Sequence, residues 1–247
     1  MGAGVVNKDG EHPVVLVCEH ASHHIPAKFN DLGLSGAHLR SHIAWDPGAM
    51  ETARNLSVAL NAPLIYSDTS RLVYDCNRPP SAEDAMPSLS AGIAVPGNRD
   101  LAEPDRQRRV EDYYLPFKDL VFDFLETRQR ETVLVTMHSF TPTYLDEQRS
   151  VEIGILHDSD QRLADALLDV AAGFEIARNK PYGPEDGVTH TLKEHALPRG
   201  LLNVMLEIRN DLIGTPEQCR SMADTLAGWL NSCLETLAVE PVREATR

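Results

Sequence analysis

Five short apolar runs, rich in β-branched residues, punctuate the chain: Val14 to Cys18, Leu64 to Tyr66, Thr132 to Met137, Val151 to Leu156 and Leu202 to Ile208. Several lack the alternation of a half-exposed strand and carry apolar residues almost throughout, as strands covered on both faces do. Between them the spacing becomes helical. Pro47 to Leu60 sets Met50, Ala53, Leu56 and Leu60 on one side, and Asp158 to Ala172 does the same with Leu163, Leu167 and Val170. The last helix has a defined start: Thr215 as N-cap, Pro216 at the first helical position and Gln218 completing a capping box. Its apolar side follows in Cys219, Met222, Leu226, Trp229, Leu230, Cys233 and Leu237. Strands alternating with helices predict an α/β sandwich with a largely parallel central sheet, in which ligands bind beyond the carboxyl ends of strands.

Two stretches rich in Pro, Gly, Ser and Asp interrupt this pattern, Asn77 to about Glu103 and Arg178 to Gly200. Loops of that length in a compact domain are functional or mobile. No linker, internal repeat or low-complexity tract divides the 247 residues, so a single domain over 1–247 is expected.

Composition narrows the partners. The 23 Lys and Arg against 37 Asp and Glu give a net charge of −14, a surface that repels phosphate backbones and anionic lipid. Neither nucleic acid nor membrane is expected as a partner; a small molecule is, and oligomeric state is left open. No apolar run reaches the roughly 18 residues of a membrane span. The start MGAGVVNKDGEHP has no basic region leading into an apolar one, and Val6 stands where a myristoylation motif has Ser or Thr, so a cytoplasmic protein is expected. Cys18, Cys76, Cys219 and Cys233 lack the close pairing of zinc or redox motifs and read as reduced structural thiols.

Candidate chemistry clusters where predicted strands stop. Cys18-Glu19-His20-Ala21-Ser22-His23-His24 follows the first run, and three histidines there suggest a metal, since neutral imidazole is a common zinc ligand. For Glu19 and His24 a solvent-facing position is an open alternative. Thr136-Met137-His138-Ser139-Phe140 presents a second histidine at the same edge if the strands run parallel. Glu207, inside a run of Val, Met, Leu and Ile, must be paired, bound to metal or raised in pKa; the structural alternative is a salt bridge to Arg209, two residues on. Around Asn77, Arg71 and Arg78 suit recognition of a carboxylate, with plain surface charge as the other reading. In Trp45-Asp46-Pro47-Gly48, Asp46 fits either a helix N-cap or an oxygen ligand. Tyr182, His190 and His195 lie in the second long loop, which could close over a substrate.

Taken together, CEHASHHIP, WDPGA, SRLVYDCNRP, TMHSF, THTLKEHA and MLEIRNDLI resemble the N-formylglutamate amidohydrolase family, from about His12 to Leu234. That family is similar in fold to the zinc carboxypeptidases, which implies a three-layer sandwich with a mixed, largely parallel sheet. The resemblance also implies an order of functional groups: His20, then Asn77-Arg78, then His138-Ser139, then Glu207-Ile208-Arg209. It departs at the second ligand, where the carboxypeptidases carry Glu and this chain has His23; the family's Trp-Asp pattern points to Asp46 instead. The implied ligands are thus His20, Asp46 and His138, with His23 as the alternative, around Zn2+ or another divalent metal such as Mn, Co or Fe.

On this resemblance Glu207 is the general base and Arg71 or His195 stabilises the oxyanion. Asn77 and Arg78 hold the substrate carboxylate, with Arg209, Tyr182 and His190 as further substrate-binding candidates, although His190 also suits loop packing. The implied substrate is the N-formyl or N-acyl amide of a small acidic amino acid. Two rivals remain: a carboxypeptidase-like or other N-acyl-amino-acid hydrolase with a larger substrate, and a metal-dependent binding protein without catalysis.

Overall fold

The computed structural model describes residues 2–128 and 131–239. The end of the domain expected over 1–247, from 240 on, lies outside the described residues. Seven strands form the central sheet: β1 (Ala3–Val6), β2 (Val14–Cys18), β3 (Leu64–Ser67), β4 (Val133–Phe140), β5 (Ile153–Leu156), β6 (Ile176–Arg178) and β7 (Leu202–Arg209). Their spatial order is β1-β3-β2-β4-β7-β5-β6. The four central strands β3, β2, β4 and β7 are mutually parallel, as the apolar runs predicted. β1 is antiparallel to β3, and β5 is antiparallel to β7 while β6 follows β5 in parallel, so the sheet is mixed.

Side-chain parity divides the core into two layers. One face of the sheet, with Leu16, Val135, Met137, Ile155 and Leu206, packs on helices α1 (Ala49–Leu60), α4 (Arg162–Val170) and α5 (Pro216–Thr236). The other face, with Val15, Val17, Leu134 and Met205, packs on a continuous helical segment: α2 (Glu103–Arg109), a π-turn at Val110–Tyr114, and α3 (Leu115–Thr127). Helices cover both sides of the sheet, which makes the three-layer architecture. Among the described residues no helix is long and apolar enough to cross a membrane.

The capping box at Thr215 forms as predicted: Gln218 N donates to Thr215 Oγ1 at 3.3 Å, and Gln218 Oε1 accepts from Thr215 N at 3.0 Å. All four cysteines are buried and free. The short edge strands β1 and β6 and the segment over Glu103–Thr127 go beyond the pattern. Edge strands of three or four residues, half exposed, carry too few apolar positions to stand out.

Two differences bear on the site. β4 runs three residues further than predicted and β7 one, so His138 and Ser139 lie within β4 rather than past its end, while Glu207 lies within β7 as expected. Both long loops also hold short elements of their own. The first holds a small ribbon, Leu89–Ser90 with Ile93–Ala94, and the buried Arg109 ties it down through the Val73 and Gly97 carbonyls and Asn98 Oδ1 (2.7 Å). The second buries Thr189, Thr191, Leu192, His195 and Ala196 against the rest of the fold.

Candidate functional site

On the face of the sheet shared by Met205 and Leu134, the carboxyl-terminal halves of β4 and β7 escape the helices. They open instead into a cavity of about 390 Å³. His20 enters it from the turn after β2, Asp46 from the segment before α1, His138 from β4 and Glu207 from β7. Asp46 does not cap the helix. The chain turns into α1 through Gly48 (φ 81°), where a Cβ would overlap the Ile213 carbonyl. The Asp46 carboxylate is thereby free to face inward. Its own N–H donates to the His20 carbonyl (3.0 Å), and its Oδ2 accepts from Ser139 N (3.2 Å).

Three donor atoms converge at the cavity floor. His20 Nδ1 and Asp46 Oδ2 are 3.2 Å apart, His138 Nδ1 and Asp46 Oδ2 3.0 Å, and the two Nδ1 atoms 3.2 Å. The outer nitrogens face carboxylates: His20 Nε2 donates to Asp75 Oδ1 at 2.7 Å, and His138 Nε2 lies 3.1 Å from Glu19 Oε2. A proton on each Nε2 leaves both Nδ1 lone pairs aimed at one point, the carboxylate-backed arrangement that orients metal-binding histidines. All five side chains are almost completely buried.

This donor set fits a metal ion on two grounds. Ligands about 2.0–2.1 Å from a tetrahedral ion stand roughly 3.3 Å from one another. The three separations found are close to that. The charge count points the same way: Glu19, Asp46 and Asp75 bring three buried negative charges, whereas Arg71, bound to Asp75 Oδ2 (2.8 Å) and near Asp46 Oδ1 (3.5 Å), returns one positive charge. Two more are needed at the centre, from a divalent ion or from both imidazoles. Burial pushes the carboxyls of Asp46 and Asp75 upward, yet the neighbouring histidines and, at Asp75, Arg71 hold both below the ordinary range. His20, Asp46 and His138 form the group that could hold a metal ion among the described residues. His23 is exposed and stacks on Trp45, with ring centroids 4.9 Å apart, outside that group.

Glu207 sits beside these three side chains, and among the described residues no hydrogen-bond partner meets it. Its Oε2 is buried with no hydrogen bond, and burial raises its pKa to about 7. The alternative salt bridge is not made: Arg209 pairs with Glu152 (3.2 Å) and Asp211 (2.8 Å) and lies off the cavity wall. Cross-strand packing keeps room for the carboxylate. Gly154, paired with Glu207 in register, could not carry a Cβ because the Lys180 carbonyl fills that space.

The structure sorts the remaining candidates. Arg71, Asn77, Arg78 and Tyr182 line the cavity. The Asn77 side chain is engaged, donating to the Val188 carbonyl and accepting from Thr191 N (3.0 Å). Arg78 is spent in the same manner, on Asp84 (2.7 Å) and the carbonyls of Asn77 and Gly187 (both 3.0 Å). These two residues fasten the second long loop to the wall. His190 and His195 do not line the cavity. His190 Nε2 lies 2.8 Å from the Tyr114 hydroxyl, and His195 is enclosed in the π-turn Leu192–Ala196, where burial lowers its pKa to about 4.

Glu19 and Asp75 are the residues that sequence reasoning missed; Glu19 is buried rather than solvent-facing. Asp75, between Tyr74 and Cys76, is an acid flanked by apolar residues, the feature that drew attention to Glu207, and Glu19 directly follows the apolar run Val14 to Cys18. His42, on the cavity wall with an unpartnered Nε2, gave no such cue.

A gene product of Agrobacterium tumefaciens has a solved structure that matches with a TM-score of 0.94 at 52% identity, covering 96% of this chain and 96% of that one. An N-formylglutamate amidohydrolase from Ralstonia eutropha JMP134 shares the fold, with a TM-score of 0.59 at 19% identity over 93% of this chain and 98% of that one. No curated protein matches the chain. The family model described as N-formylglutamate amidohydrolase matches residues 12–214, a span that takes in all four cavity groups from His20 to Glu207. With most of its length and its whole polar centre inside that match, the chain belongs to the N-formylglutamate amidohydrolase family.

Proposed function

We propose that this protein hydrolyses the N-formyl, or another small N-acyl, amide of an acidic amino acid such as N-formyl-L-glutamate. The observation that carries this reading is the convergence of His20, Asp46 and His138 beside the unpartnered carboxyl of Glu207 in one cavity. Two imidazoles and one carboxylate suit zinc and leave a position open for water. A divalent ion held there supplies a Lewis acid and an acidified water.

The side chains divide the remaining work. Glu207 takes a proton from the attacking water as its oxygen bonds to the acyl carbon, and passes that proton to the amine nitrogen as the C–N bond breaks. Formate and the free amino acid leave. A carboxyl near pKa 7 is matched to both halves of this transfer. Arg71 keeps its charge on the cavity wall through Asp46 and Asp75, and offers N–H groups to the developing oxyanion. His195, enclosed away from the cavity, is not assigned that role.

Metal analysis of the purified protein together with amine release from N-formyl-L-glutamate tests the proposal. Stoichiometric divalent metal and turnover abolished by a chelator are expected. N-acetyl and dipeptide substrates run in parallel decide the acyl group: faster peptide cleavage would favour a carboxypeptidase-like activity. Bound metal with no hydrolysis of any acyl amino acid would leave a binding protein.

A further inference from the structure

We propose that Arg149, which is not itself on the cavity lining but packs against the lining rings of Phe140, Tyr144 and Tyr182, reads the side-chain carboxylate of the substrate; the assignment rests on the acidic-substrate reading above. The need for such a residue follows from where the other arginines go. Arg71 is neutralised by Asp75 and Asp46, Arg78 by Asp84 and loop carbonyls, and Arg209 by Glu152 and Asp211. Arg149 differs from all three. Among the described residues no carboxylate pairs with it, and the acceptor for its guanidinium is the Tyr182 hydroxyl (3.1 Å).

Its setting holds the guanidinium without discharging it. The central carbon lies 4.7 Å from the ring centre of Tyr144, 4.9 Å from that of Tyr182 and 5.6 Å from that of Phe140, and all three rings line the cavity. Aromatic faces fix the plane of an arginine while leaving its edge N–H groups for an incoming acid. The backbone is held as well. Arg149 N donates to the Pro142 carbonyl (2.8 Å), and Arg209 Nη1 donates to the carbonyls of Arg149 (3.2 Å) and Ser150 (3.3 Å). Arg209 is therefore a positioning residue for Arg149 and not a substrate contact.

The spacing suits a substrate with a second acid. Phe140 follows His138 by two residues on the same strand face, which places the aromatic wall about 6.6 Å further along β4 than the metal-binding ring. An amide held at the floor thus sends a two-methylene side chain toward Arg149. In a chain of net charge −14, an arginine without a counter-ion beside the cavity also draws anions in.

The test compares the parent with Arg149→Met and Arg149→Lys on N-formyl-L-glutamate and N-formyl-L-glutamine, which differ only in the distal charge. Arg149→Met should lower kcat/KM for the glutamate substrate by roughly 10- to 100-fold and leave the glutamine substrate within about threefold. Lys should recover part of the loss, because it restores charge without the planar fork. Binding of L-glutamate against L-glutamine, followed calorimetrically, gives a readout that needs no turnover. If the parent hydrolyses neither substrate, weaker glutamate binding in Arg149→Met still supports the carboxylate contact while the amidohydrolase reading fails. Equal losses on both substrates, or glutamate binding unchanged by Arg149→Met in a variant with parental Tm, would overturn the assignment.

Discussion

Glu207 and His138 are register partners on the adjacent parallel strands β7 and β4, with both side chains on the cavity face of the sheet. The sheet itself therefore sets the distance between the proposed base and the imidazole proposed to bind the metal. A strand pair slipped by one residue would send Glu207 into the opposite apolar layer.

Glu207→Gln preserves the shape and polarity of this position but removes the titratable group. Metal content should stay at the parental level while kcat falls by roughly 10²- to 10⁴-fold. Parallel metal analysis and amine-release assays check this, and turnover at the parental rate would exclude Glu207 as the base.

Asp46 and His23 make opposite predictions. Asp46→Ala removes one of the three converging donors and leaves only the His20 and His138 imidazoles facing one another, so metal should be lost. His23→Ala removes an exposed ring stacked on Trp45 and should leave metal affinity unchanged. Competition with a metal chelator distinguishes the two, and a loss confined to His23→Ala would return the third ligand to that residue.

Asp75 touches the proposed ion only through His20. Asp75→Asn keeps a hydrogen-bond partner for Nε2 but removes the charge, and should weaken metal affinity by about 10- to 100-fold. The same variant deprives Arg71 of its closest counter-ion. An unaltered affinity would mean that the carboxylate behind His20 does not tune the site.

His195 predicts a pH-dependent stability. Its folded pKa, near 4, is lowered from 6.5 by burial, so between those values the unfolded chain takes up a proton that the folded chain refuses. Stability is therefore lost as pH falls from about 6.5 towards 4, by up to about 2 kcal/mol at pH 5. Urea unfolding of the parent and His195→Gln at pH 7.5 and pH 5 measures it. The variant should lose less stability between the two pH values, and an identical loss would show that His195 is not the group responsible.

The fold was legible because its causes are local and repetitive. A run such as Val14–Cys18 is apolar on both sides because it is covered on both faces, and that pattern survives in one dimension. The start of α5 was legible for the same reason, as Thr215, Pro216 and Gln218 act within a single turn. The helical segment Glu103–Thr127 was not: its π-turn and charged first turn break the apolar spacing.

The site divides along similar lines. The amino-acid sequence alone determined which residue types were available, and an acid within an apolar run, as at Glu207, was enough to mark a place where chemistry or pairing had to occur. Tertiary structure alone decided between uses that the sequence held equal. Asp46 could cap a helix or offer an oxygen ligand until Gly48 took over the turn into α1 and left its carboxylate facing the cavity. Arg78 and Arg209 had the right chemistry for a carboxylate, but folding brought them acids and carbonyls of the chain's own, and left Arg149 among aromatic rings instead. A side chain's chemistry is carried by its residue, whereas its partners come from segments tens of residues away. Only the packed chain determines which charges are already satisfied and which remain for a substrate.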